Sequence, residues 1–148
     1  MHELTHVSHW RIGYSTGQFV IDALAGDPVL PESWATGVEY VIVEGVYPKS
    51  IFGTYDYDYG QRLSLQQVKD SKGYTPIVID MIDFSNQMTR TNPNRPNDRA
   101  AGYTLGQLER ALPGSLGSWW TWRTKIREMY TNPTEKAPLD YLFREYKK

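Results

Sequence analysis

Val38-Glu39-Tyr40-Val41-Ile42-Val43-Glu44 is the stretch on which the fold class turns. It is β-branched and aromatic almost throughout, with Gly37 before it and Gly45 after it, which predicts a strand buried on both faces. Further along, Ile77-Val78-Ile79-Asp80-Met81-Ile82-Asp83-Phe84 is entered through Pro76 and is apolar enough for a central strand. Between the two, residues 52–59 alternate Tyr55, Tyr57 and Tyr59 with Asp56 and Asp58, a period of two that puts tyrosines on one face and carboxylates on the other. Residues 10–14 add a fourth candidate. Short helices are expected around 18–25, stopped by Gly26, and around 63–70.

Beyond Ser85 the character changes. Asn92-Pro93-Asn94-Arg95-Pro96-Asn97-Asp98-Arg99 has almost no apolar residue and two prolines, so residues 86–102 read as a long extended polar loop. Thr104-Leu105-Gly106-Gln107 matches a capping box that opens a helix ending at Pro113-Gly114. A second helix over 118–130 places Trp119, Trp122, Ile126, Met129 and Tyr130 on one stripe, and a last one from Pro138 does the same with Leu139, Leu142, Phe143 and Tyr146. The expectation is a single α+β domain over 1–148. It has a small antiparallel or mixed sheet of about three to five strands in residues 10–84 and a helical segment over 104–148.

The 148 residues contain no cysteine, which excludes disulfide scaffolds, zinc ribbons and thiol catalysis. No apolar run approaches the ~20 residues of a membrane helix, and the start lacks the pattern of a signal peptide, so a soluble, cytoplasmic protein is expected. The aromatic content is high, with 5 Trp, 11 Tyr and 4 Phe.

His2-Glu3-Leu4-Thr5-His6 resembles the HExxH signature of zincin metallopeptidases. The resemblance implies His2 and His6 as zinc ligands, Glu3 as the base, and His9, one turn on, as a third ligand. It covers five residues; the plainer alternative is an N-terminus with three surface histidines. Asp56, Asp58 and Asp80 form a second candidate, converging on magnesium in a nuclease or phosphotransfer layout, against the ordinary solvent face of a half-exposed sheet. Asp80 and Asp83, three apart on a strand, would lie on opposite faces. On the helix over 118–130, Trp120 falls off the buried stripe on the side of Arg123 and Arg127, a composition suited to a protein contact or to stacking on a base.

The net charge of −1 conceals an asymmetry. Residues 1–84 hold 5 Lys+Arg and 11 Asp+Glu, a balance of −6, whereas residues 85–148 hold 11 and 6, a balance of +5. Such halves can attract each other within one molecule, bind nucleic acid through the basic half, or drive association between copies, acidic face to basic face. The long loop favours the last as an arm across a neighbour. The sequence is therefore read as a non-catalytic protein-binding or assembly protein without a cofactor, a homo-oligomer or the ligand of a protein partner, with contacts at Arg95, Arg99, Trp120, Arg123 and Arg127. Its size suits a phage-encoded structural or anti-defence protein, in the cytoplasm or a virion. The alternatives are a metal-dependent hydrolase and a nucleic-acid-binding protein.

Overall fold

The computed structural model describes residues 29–46, 64–70, 75–113, 115, 118–131 and 136–146. Within them the architecture is helical: α1 (Val29–Val46), α2 (Leu65–Asp70), α3 (Ile77–Ile82), α4 (Leu105–Arg110), α5 (Trp119–Met129) and α6 (Lys136–Glu145). None of the described residues forms a strand, so the expected α+β fold with a three-to-five-stranded sheet is overturned. The candidate strands at 10–14 and 52–59 and the helix at 18–25 lie outside the described residues. No helix among those described is long and apolar enough to cross a membrane.

Both central strand candidates are helices. The run 38–44 is the C-terminal part of α1, whose first turn carries Pro31 and Glu32, both suited to a helix start. Read from residue 29 rather than 38, the sequence places Leu30, Ser33, Trp34, Gly37 and Val38 at spacings of three and four. Leu30, Ser33, Trp34 and Gly37 are buried, and Val38 packs against the core. Residues 77–82 of the second run are α3, under two turns long, in which Ile77 to Met81 are all buried. A short apolar run without periodicity suits a buried helix as well as a buried strand, and here the tertiary environment decided.

That environment is the α1–α3 contact. Gly37 faces Val78 so closely that a Cβ added to it would lie 2.2 Å from Val78 Cγ1. One residue pair further along the same seam, Thr75 donates its backbone N–H to Ser33 Oγ at 2.8 Å, and the two hydroxyls lie 3.0 Å apart. α3 also packs on α4, and α5 on α6. Trp122 sits at the centre of the aromatic core, 6.5 Å from Trp34, 6.4 Å from Trp119 and 5.6 Å from Phe143, in tilted and edge-on geometries favoured by ring quadrupoles. Its indole N–H donates to Leu108 O at 3.2 Å, a carbonyl of the last turn of α4 that also accepts from the C-cap amide of Ala111.

The helix starts follow local chemistry. At Thr104 the capping box forms as expected, the side chain accepting from Gln107 N and Gln107 Oε1 accepting from Thr104 N. Ser64 and Gln67 make the same reciprocal pair before α2, at 3.2 and 2.8 Å. Ser118 caps α5 through Thr121 N at 3.3 Å. The stripes of α5 and α6 are buried at Trp119, Trp122 and Ile126 and at Leu139, Leu142, Phe143 and Tyr146, but Met129, expected on the stripe, is 47% exposed.

In most helices Gly→Ala stabilises, by roughly 0.5–1 kcal/mol. At Gly37 the Val78 contact reverses the sign: Gly37→Ala should lower the urea-unfolding free energy by about 1–3 kcal/mol, as overpacking does. Val78→Ala in the same chain should recover part of that loss. A stabilised Gly37→Ala protein would contradict the packing of α1 on α3.

Candidate functional site

The segment between α3 and α4, residues 83–104, is irregular but fixed, and it forms a strap. It leaves α3 at Asp83 in an extended conformation and returns to the same place, where Gly102 and Tyr103 donate to Ile82 O and Met81 O at 3.3 and 2.9 Å. Carbonyls at the end of α3 are thus satisfied by residues twenty positions on. Gly102 makes the turn at φ 78°, a conformation that favours glycine.

Inside the strap, side chains replace a β ladder. Asn86 Nδ2 donates to Asn97 Oδ1 at 2.9 Å, and Gln87 N to Asp98 Oδ1 at 3.2 Å, so the outgoing limb lies beside the returning one. Ser85 N and Met88 N close Asx turns on Asp83 Oδ1 and Asn86 Oδ1 at 2.9 and 3.0 Å, and Asn92 N bonds Thr89 Oγ1 at 3.1 Å. This is the use to which short polar side chains are best suited, and it accounts for the Asn-rich composition. Two further bonds tie the strap to helices: Leu65 N to Asn94 O at 3.0 Å and Asn97 N to Glu145 Oε2 at 2.8 Å.

At the base of the strap is a buried carboxyl pair. Asp80 of α3 is 1% exposed and Asp98 of the returning limb 5%. Asp80 Oδ2 accepts a short hydrogen bond from the Tyr146 hydroxyl at the end of α6, and Asp80 Oδ1 accepts from Gln87 Nε2 at 3.3 Å. The two carboxyls flank Gln87, which donates its side chain to Asp80 Oδ1 and its backbone N–H to Asp98 Oδ1. Burial, then the charges of Asp98 and Asp83, hold the Asp80 carboxyl well above its usual range, against the opposing donation from Tyr146. Asp98 is pushed up to about 7, first by burial and then by the charge of Asp83. The Tyr146 phenol is raised by burial and by the charge of Asp80. Chemically the arrangement stores a proton near neutral pH inside the protein.

Each residue expected to act can now be placed. His2, Glu3, His6, His9, Asp56 and Asp58 lie outside the described residues. Asp80 is not on an open sheet face but buried in α3, with both oxygens engaged by Tyr146 and Gln87. Asp83, the C-cap of that helix, acts on the same carboxyl pair instead of facing away from it. Among the described residues no group of three or more His, Asp or Glu is arranged to hold a metal. Arg123 Nε and Arg127 Nη1 lie 3.6 and 3.4 Å from Asp140 of α6, and the Arg123 guanidinium covers the half-buried Trp120 ring at 4.9 Å. The two arginines staple α5 to α6, and Trp120 packs against the core beneath Arg123. Arg95 is half-buried, with Nη1 inside and without a partner, whereas Arg99 is exposed.

Sequence reasoning missed Asp98, Gln87 and Tyr146. The available signal was Asp80 itself, a lone carboxyl inside an otherwise apolar hexad, which implies burial and therefore partners. Compared with known proteins, the chain matches no family model, no curated protein and no solved structure.

The folded state binds a proton at Asp98 that the unfolded chain, with an aspartate at its ordinary 3.8, releases. This contribution to stability is complete below about 3.8 and is lost as pH rises through about 7, the reverse of a salt-bridged carboxylate. Asp98 by itself should lower the urea-unfolding free energy by about 1.4 kcal/mol between pH 6 and pH 8, and Asp98→Asn should remove that share of the fall. A wild-type profile level over this interval would contradict it.

Proposed function

We propose that this chain is a non-catalytic assembly protein that binds a second copy of itself through the strap. The observation that carries this reading is Phe84, 86% exposed on a segment held on both sides by hydrogen bonds, Ser85 N to Asp83 and Met88 N to Asn86. Leaving a phenylalanine in water forgoes roughly 1.5–3 kcal/mol that burial would return, and a strap stitched to itself is poorly placed to fold over its own ring. Met88 is exposed on the same limb, and Arg90 and Arg99 add exposed cations to the strap. Exposed aromatic and arginine side chains on one segment are the composition of interface hot spots.

The second copy is favoured by charge. The strap belongs to the half of the sequence with a balance of +5, and the other half, at −6, offers the complement. Opposed potentials set encounter rate and register, and a contact between unlike patches closes into a ring or continues as a stack. Arg123 and Arg127 are occupied between α5 and α6 and Trp120 against the core, which moves the contact surface from that helix face to the strap.

Light scattering at low salt should give a mass above the 17.1 kDa of one chain, rising with concentration and falling toward it in high salt or with Phe84→Ser. A monomer at every concentration in low salt would overturn the proposal.

A further inference from the structure

We propose that Asp80 and Asp98 form a proton latch, in which one hydrogen held between the two carboxyls docks residues 86–98 on α3 and α6 and its loss releases them. Hydrogen-bond accounting supports this. Two buried atoms at the base of the strap lack a partner, Asp98 Oδ2 and Gln87 Oε1, and both are acceptors. The cluster is short of hydrogens and not of oxygens, because Tyr146 and Gln87 direct their donors at Asp80 and the Gln87 N–H goes to Asp98 Oδ1. A proton on the pair supplies what is missing. Such a proton belongs to the pair and not to either residue.

The charged groups that act on the cluster are anionic. Asp83 faces it from the end of α3, and Glu145 from α6, where it adds to the charge around Tyr146. When the hydrogen leaves, two buried carboxylates held against the same Gln87 repel each other with the charge of Asp83 acting on both, and separation is the relief available. Asp80 cannot retreat, because Ile79 and Met81 fix it in the core. Asp98 can, because it stands on an irregular segment held to α3 by Gln87 and by the returning amides of Gly102 and Tyr103. Opening there would alter how Phe84 and Met88 are presented, so association should weaken or change as pH rises through neutrality. That consequence rests on the assembly reading above; the latch itself does not.

Amide hydrogen exchange at low protein concentration, corrected for the intrinsic pH dependence of exchange, tests the latch directly. Protection of the Gln87 and Asn97 amides, lower than that of the Trp122 amide of α5 at either pH, should fall at least about tenfold between pH 6 and pH 8. Asp98→Asn, whose amide permanently supplies a hydrogen to Asp80, should hold strap protection level; Asp80→Asn serves the same purpose if the first variant does not fold. Level protection in the wild type, strap protection equal to that of Trp122, or the same fall in Asp98→Asn would overturn the latch. Light scattering at the same two pH values reads the assembly separately. Strap protection that titrates in a protein monomeric throughout overturns the assembly and leaves the latch; level protection in an associating protein does the opposite.

Discussion

Asp80 stands between Ile79 and Met81 in a short helix otherwise filled by the apolar core, and a carboxyl there is costly unless it is hydrogen-bonded or neutral. Much of the described architecture can be derived from meeting that demand. Tyr146 reaches it from the last turn of α6, Gln87 from the outgoing limb of the strap and Asp98 from the returning limb. Three segments far apart in sequence are therefore gathered at one group. The strap in turn closes on the helix that holds Asp80, through the bonds of Gly102 and Tyr103 to Ile82 O and Met81 O. An irregular segment of this length gains a defined shape because both its ends are tied to α3, its middle to α2 and its returning limb to α6.

The parts of this legible in the sequence are those whose cause is local. The capping box at Thr104 and Gln107, the stripe of Trp119, Trp122 and Ile126, and the stripe of Leu139, Leu142, Phe143 and Tyr146 follow from neighbours within one or two turns. The strand readings failed where the cause was remote. Nothing within 38–44 or 77–84 distinguishes a buried helix from a buried strand. The contacts that decide, Gly37 against Val78 and Ser33 with Thr75, join residues about forty positions apart. Asp80 was visible as a carboxyl, yet a strand model gives it an open face and a metal, whereas a helix in the core gives it a proton and a tyrosine.

The basic half of the sequence divides in the same way. Arg123 and Arg127 face Asp140, and their charge is spent inside the α5–α6 pair; ion pairs this exposed contribute about 1 kcal/mol or less, so they orient the two helices more than they stabilise them. The exposed cations Arg90 and Arg99 and the exposed ring of Phe84 lie instead on the strap. A segment that carries the surface features and is tied to a buried titratable pair links two properties that composition alone would treat as separate: display of a contact surface and sensitivity to pH.

In the proposed latch a buried hydrogen bridges Asp80 and Asp98 near neutral pH. Carbon-detected NMR titration of the aspartate side-chain carboxyls in the wild-type chain tests it most directly. Loss of the shared hydrogen should appear at both side chains as a transition at about 7, well apart from those of the exposed aspartates. Transitions of both carboxyls near the ordinary 3.8 would contradict it.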